Sequence, residues 1–365
     1  MEGLHMKRNL GIVTTAIVMA AALTACSGNN ASTATTAAPA TADATETAAG
    51  SDAGESTAED SDGSAEPVDY SWPTKNLQLI CPFAAGGDSD ANARWIASYL
   101  TEEMGMDVVV VNMDGNGGAV GARAAKDSAN DGSVALCSSS AFITNELSGA
   151  IDFGLDEFEF SCIFAENPGN IVCVNKDLGV NTFQELIDYS KANPGKLKMA
   201  YNSGATTHAI ALQIQDAGVD ATLVDAGASS DRIAALLGGH VDIIINAYGS
   251  VKDYLESGQF IGLGLTGESS AENIPGYTSL KEQGFDVVFP TYFFLAFPKG
   301  TDPALAEKLS AAAKNVVLNN PNYAEDIKNG YQQSLTYYDG EEGKQKLLDS
   351  REEIIKYTAA FQGKE

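Results

Sequence analysis

At 365 residues, with 22 Lys and Arg against 49 Asp and Glu, the chain carries a formal net charge of -27. Binding to nucleic acid needs a clustered basic footprint that displaces counterions from phosphates, and the sequence holds no such cluster, which sets that class of partner aside. The length accommodates about two domains of roughly 100 to 200 residues each once the N-terminal region is discounted.

Lys7 and Arg8 precede an apolar run from Leu10 to Leu23 that ends in Leu23-Thr24-Ala25-Cys26. A short positive region, about 14 mostly apolar residues and a small-residue cleavage site form a secretory leader, too short for an ordinary transmembrane helix. The ending resembles a bacterial lipobox, which implies residues 1–26 as the leader and Cys26 as the lipidated new N-terminus. Glu2 sits where such leaders are usually basic, so Met6 is the alternative start. From Ser27 the composition turns to Ala, Thr, Ser, Gly, Asp and Glu, with no Lys or Arg before Lys75. Such a stretch has too little apolar surface to offset the entropy of ordering it, and residues 27–74 are expected to be a disordered acidic tether.

Beyond it, short β-branched runs alternate with helical patterns. "LQLIC" is strand-like, and Ala93, Ile96, Leu100 and Met104 then recur at helical spacing. "MDVVVVN", "SVALCSS" and "NIVCVNKD" read as strands, with the small-residue helix "GAVGARAAKDS" after the first. "TFQELIDYSKANPG" carries a capping box, Thr182 with Glu185, and ends at Pro194-Gly195. Strands are then expected in "LKMAYN", "DATLVDAG", "VDIIINA" and "FIGLGLTG", and helices in "TTHAIALQIQDAG", "SSDRIAALLGGH" and "SVKDYLESGQ". A long apolar run, "FPTYFFLAFPKG", precedes helices expected over 303–318 and 340–361. This alternation predicts an α/β fold with mostly parallel sheets covered by helices on both faces. Cys81, Cys137, Cys162 and Cys173 lie in strand-like runs without metal spacing. Buried thiols are the favoured reading and one disulfide the alternative.

In such sheets ligands bind where strand ends meet helix N-termini, so the strand-to-helix loops are where chemistry is expected. Gly86 and Gly87 allow close backbone approach, and Asp88, Ser89 and Asp90 open the following helix, whose free N–H groups and dipole favour an anion. The competing reading is a tight turn capped by Asp88 or Ser89. "YNSGATTHAIA" repeats the device with Ser203, Gly204, Ala205, Thr206 and Thr207, and His208 reads there as a packed structural residue rather than a catalyst. Asn246, at the end of "VDIIINA", is either a hydrogen-bonding ligand group or a turn residue.

Enzymatic signatures are absent. There is no P-loop and no Gly-x-Ser-x-Gly, and "GNGGAVG" has Val120 where a dinucleotide fingerprint needs its third glycine. Only His208 and His240 remain beyond the expected leader, too few for a hydrolytic triad or a zinc site.

In order, "PFAAGGDSD" with its helix, "VVVVNMDGNGGAVGARAAKDSANDG", "AYNSGATTHAIALQI", "LLGGHVDIIINAY" and "IPGYTSLKEQGFDV" followed by "FPKGTDP" resemble the TctC or Bug family. These are the extracytoplasmic solute receptors of tripartite tricarboxylate transporters. The resemblance runs from about Leu77 to the C-terminus. It implies a type II periplasmic-binding-protein fold, with one α/β lobe from residues 75–170 plus 292–365 and the other from 171–291, and the ligand in the cleft between them. It further implies a small carboxylate held by main-chain N–H groups, hydroxyls and water rather than by an arginine, and no catalysis, cofactor or metal. Phe83, Gly86, Gly87, Asp88, Ser89 and Asp90 would form one jaw and Ser203 to Thr207 the other, with Ser139 and Asn246 as additions. Permease subunits and, through Cys26, the membrane would be the partners. Asp88 stands where the family often has a small uncharged residue, so the ligand is either a di- or tricarboxylate or, if Asp88 faces the cleft, an amino acid or another zwitterion. A receptor that presents its ligand to a membrane signalling sensor is the alternative function.

Overall fold

The computed structural model describes residues 69–364. The expected leader, Cys26 and most of the acidic segment lie outside the described residues. The chain begins with β1 (Asn76–Cys81), α1 (Asp88–Met104), β2 (Asp107–Asn112), α2 (Ala119–Lys126), β3 (Val134–Ser139), α3 (Ala141–Ser148) and β4 (Phe158–Asn167). It continues with β5 (Asn170–Asn175), α4 (Phe183–Ala192), β6 (Leu197–Tyr201), α5 (Thr206–Asp216), β7 (Ala221–Asp225), α6 (Ser229–Leu237), β8 (Ile243–Ala247), α7 (Tyr248–Glu256) and β9 (Phe260–Leu265). It closes with β10 (Thr291–Pro298), α8 (Pro303–Asn319), α9 (Pro321–Tyr331), α10 (Gly340–Ile354) and α11 (Thr358–Phe361).

Two five-stranded sheets result, ordered β2-β1-β3-β10-β4 and β7-β6-β8-β5-β9. They share one plan. In the first, β1 runs parallel to β2 and β3 while β10 is antiparallel to β3 and β4. In the second, β6 runs parallel to β7 and β8 while β5 is antiparallel to β8 and β9. The reversed strand of each sheet is the one that has just crossed from the other lobe. Central strands are covered on both faces, which is why Ile243, Ile244 and Ile245 run apolar without alternation and are all fully buried.

The chain crosses between lobes at Asn167 to Asn170 and at Phe289 to Thr291, and Thr266 ties the two crossings together. Its N–H donates to the Asn170 carbonyl at 2.8 Å and its carbonyl accepts from the Phe289 N–H at 3.1 Å. Its hydroxyl accepts from the Asn170 N–H at 3.1 Å. The C-terminus adds a strap. Tyr357 donates its hydroxyl to Asp216 of α5 at 2.6 Å, and Gln362 donates to the Leu147 carbonyl of α3 at 3.0 Å.

Part of the stretch assigned to the tether is packed: the Trp72 indole N–H donates to the Gly132 carbonyl at 2.9 Å and its ring lies 5.9 Å from that of Phe297. The four body cysteines are free and buried. Burial pushes the Cys81 and Cys162 thiols up to about 12, which leaves them unreactive at neutral pH.

Candidate ligand-binding cleft

The carboxyl ends of β1, β3, β6, β7 and β8 open on one cavity of about 200 Å³ between the lobes. Its lining includes the first turns of five helices, through Gly87 of α1, Ala141 of α3, Ala205 of α5, Ala228 of α6 and Ala247 of α7. In none of these helices does the N-cap residue's own side chain accept from the first turn, although Asp88, Ser139 and Asp231 each accept from one N–H at the starts of α1, α3 and α6. Helices away from the cavity differ. Thr182, Asp302, Asn320 and Asp339 cap α4, α8, α9 and α10 through their side chains. A side-chain oxygen at the N-cap satisfies an orphan donor and stabilises a helix by about 1 kcal/mol. The cleft helices forgo that N-cap bond, and the remaining free N–H groups of their first turns lie at the cavity with the positive ends of their dipoles. An anion is what such a surface receives.

The loop before α1 is held by Asp90, not by Asp88. One Asp90 oxygen accepts from the Gly86 N–H at 2.9 Å and from Arg94 at 3.0 Å, and the other accepts from Asn112 at 2.8 Å. Burial alone would raise its pKa, but Arg94 and these donors hold the carboxyl below its ordinary value. Asp88 is bonded less fully: one oxygen accepts from the Ser89 N–H at 2.9 Å and the other has a 3.4 Å contact from Asn167. Burial raises its pKa, offset in part by that N–H and by the charge of Arg232.

Arg232 is the cation the loop sequences lacked. It sits one turn into α6, is 6% exposed, and lines the cleft. Its Nε donates to the Ile245 carbonyl at 3.2 Å and to Asn246 Oδ1 at 3.1 Å, and one terminal nitrogen donates to the Gly227 carbonyl at 2.7 Å. Burial lowers its pKa to about 10, offset by Asp88, Asp231 and Asp225, so it stays protonated at neutral pH. Asn246 is fully buried behind it and also donates to Ser229 Oγ at 2.6 Å. It positions Arg232 and the start of α6.

Of the residues singled out from sequence, the structure brings Phe83, Gly86, Gly87, Asp88, Ser89, Ala205, Thr206 and Thr207 into the cavity lining. Asp90, Ser139, Ser203, Gly204 and Asn246 lie outside that lining. Ser139 is buried behind α3, where its hydroxyl accepts from the Ala141 N–H at 3.4 Å. Asp114, Asn170, Asn202, Ser229, Ser230, Arg232 and Thr291 line the cavity and were not anticipated. Thr291 Oγ1 is buried without a hydrogen-bond partner. The "DAGASSDR" loop before α6 carries the Gly-Ser signal of the other two, and it is the feature that would have exposed Arg232.

Ser203 and Gly204 belong to the contact between lobes. A Cβ on Gly117 would stand 2.1 Å from the Ser203 carbonyl oxygen, so the two backbones meet there with no room for a side chain. Asn145 of α3 braces the contact by donating to the Gly117 carbonyl at 2.9 Å.

The match to known proteins agrees with this geometry. The model of the tripartite tricarboxylate transporter family receptor, TctC, matches residues 92–352. This chain belongs to that family. The receptor is 29% identical over 250 residues to protein BugT of Bordetella pertussis, covering 67% of this chain and 77% of that protein. Its fold matches a solved structure of an R. palustris protein with adipate, with a TM-score of 0.71 and 20% identity over 80% of this chain and 99% of the other. It also matches MatC from Rhodopseudomonas palustris with bound malate, with a TM-score of 0.68 and 18% identity over 80% of this chain and 99% of the other. The chain is a type II periplasmic-binding-protein fold and a solute receptor, not an enzyme. Among the described residues no helix is long and apolar enough to cross a membrane.

His208 of this receptor is structural. Its Nδ1 accepts from the Gly204 N–H at 3.4 Å, and its ring lies tilted against Tyr201 at 4.5 Å and meets Phe361 edge-on at 5.0 Å. Burial pushes its pKa down to about 4 from the ordinary 6.5. The native state refuses a proton that the unfolded chain accepts, so this contribution is complete above pH 6.5 and is lost as pH falls toward 4. The loss approaches about 3 kcal/mol. Thermal melts from about pH 7.5 to 4.5 are expected to fall less steeply for His208→Asn than for the wild type; parallel curves would contradict the assignment.

Proposed function

We propose that this protein is a lipid-anchored extracytoplasmic receptor that closes on a small organic carboxylate and delivers it to the membrane subunits of a tripartite tricarboxylate-type transporter. The observation that carries the reading is the convergence of five helix N-termini that lack an N-cap side-chain bond, and of one buried arginine, on a single small cavity. The cavity volume lies below the roughly 300 to 1,000 Å³ of pockets for drug-sized ligands, which fits a metabolite of a few carbons. Relatives of the same fold determined with adipate and malate support the ligand class. The Leu23-Thr24-Ala25-Cys26 ending supports the anchor. Binding free energy goes into holding two lobes together around the ligand, a hinge motion in which no bond is made or broken.

Calorimetry against three- to six-carbon mono-, di- and tricarboxylates tests the reading. Ser89→Trp and Thr206→Trp place a large ring in the lining, and each is expected to weaken binding at least 100-fold while the melting temperature moves by no more than about 2 °C. Unchanged affinity in both variants would contradict the cleft as the site. Cys26→Ser is expected to move the protein from the membrane fraction to the soluble one; membrane retention of that variant would contradict the anchor.

A further inference from the structure

The formally charged residues lining the cleft are Asp88, Asp114 and Arg232. The lining side chains therefore carry a formal charge of -1, set against the partial positive charges of the five helix N-termini. A plain dicarboxylate would bring two more negative charges to a wall that offers one cation. Within the cavity the charges are also separated by lobe: Asp88 opens α1 in the first, and Arg232 lies in α6 of the second. Each feels the other's charge, yet no ion pair joins them.

Both groups keep unused hydrogen-bonding capacity. A carboxylate has about four acceptor sites and a guanidinium five donors. Asp90, two residues on, spends both oxygens on Gly86, Arg94 and Asn112. Asp88 receives one N–H and one long amide contact. Arg232 donates from Nε and one terminal nitrogen, and its other terminal nitrogen makes no hydrogen bond to the described residues. A second unpartnered group, Thr291 Oγ1, is buried in the same lining. A half-buried carboxylate with free acceptors on one wall, opposite a buried guanidinium with free donors on the other, is complementary to a ligand that carries both signs.

We propose that the ligand is a small zwitterion whose ammonium group meets Asp88 and whose carboxylate meets Arg232 and the N-terminus of α6. The proposal rests on the carboxylate-receptor reading above and narrows it. The ammonium supplies the donors that Asp88 lacks and cancels its charge, and the carboxylate takes the donors of Arg232. A nitrogen-free acid can satisfy only the second lobe.

Matched pairs test this on the whole protein after ligand removal by reversible unfolding: aspartate against succinate, glutamate against glutarate, and alanine against propionate, by calorimetry. At least one amino acid is expected to bind 100-fold or more tightly than its deaminated partner. Asp88→Asn keeps the acceptor for the Ser89 N–H and removes the charge. It is expected to weaken amino-acid binding at least tenfold and to strengthen binding of the deaminated acid, with an unchanged melting temperature. Deaminated acids that bind as tightly as their amino partners, or an Asp88→Asn variant with unaltered preference, would overturn the zwitterion and leave the carboxylate receptor standing. A panel in which neither kind of acid binds would contradict both readings.

Discussion

Replacing Arg232 by Gln is expected to weaken binding of the receptor's carboxylate ligand by 100-fold or more. A buried, hydrogen-bonded charge pair broken on one side typically costs about 2 to 5 kcal/mol, which is a factor of roughly 30 to several thousand. The geometry places Arg232 toward the upper part of that range, because Ile245, Asn246 and Gly227 already fix the guanidinium and little side-chain entropy remains to be lost on binding. The variant also leaves the Gly227 and Ile245 carbonyls short of a donor, which lowers stability by about 1 to 3 kcal/mol. Arg232→Lys separates the two effects. It retains the charge but loses the planar fork, so it is expected to recover part of the affinity. Removing the cation also removes the influence that offsets burial at Asp88, so the pKa of Asp88 is expected to rise further in Arg232→Gln. Equal affinity of wild type and Arg232→Gln, in a folded variant, would contradict the role of this residue.

The second large effect is expected at the contact between lobes. Gly117→Ala would put a methyl group 2.1 Å from the Ser203 carbonyl oxygen and 2.9 Å from the Gly204 carbonyl carbon. Both are backbone atoms, so the clash is relieved only by separating the lobes. Binding is expected to weaken at least tenfold, with a larger radius of gyration in the presence of ligand than the wild type shows. Gly117 also has φ +64°, where a side chain costs about 1 kcal/mol or more by itself. Gly105, at the far end of α1, has φ +62°, and a Cβ added there would meet nothing within 4 Å. Gly105→Ala therefore carries the backbone cost without the clash, and it is expected to lower stability by a similar amount with unchanged affinity. Equal loss of affinity in both variants would assign the effect to strain and contradict the closure contact.

Much of this architecture is legible in the chain because local chemistry and global fold agree. "VDIIINA" reads as a strand covered on both faces, and "PFAAGGDSD" opens its helix where the alternation requires a ligand loop. Other parts are hidden for identifiable reasons. The strand Phe158–Asn167 mixes Glu, Ser and Asn with its aromatics, and it joins the first sheet beside a strand more than a hundred residues away, so no local period marks it. The helix Pro321–Tyr331 has a readable start, with Asn320 as N-cap ahead of Pro321, but its apolar stripe is only Tyr323, Ile327 and Tyr331 in an otherwise polar stretch. Arg232 follows an Asp in what reads as an ordinary polar helix face, and only the Gly-Ser loop that precedes its helix marks it apart from a solvent-exposed Arg. It becomes a site residue only because α6 points its first turn at the other lobe. Asn170 and Thr291 reach the cleft through the crossings between lobes, a property of topology rather than of any short motif.

A crystal structure of the receptor, grown at saturating concentration of a carboxylate shown by calorimetry to bind, puts the cleft to the sharpest test. The ligand is expected between Ser89 and Arg232, with a carboxylate within hydrogen-bond reach of the Arg232 guanidinium and of main-chain N–H groups at the starts of α5 or α6. A bound ligand whose carboxylate touches none of these groups, or a cleft holding only water while the ligand sits elsewhere, would contradict the assignment.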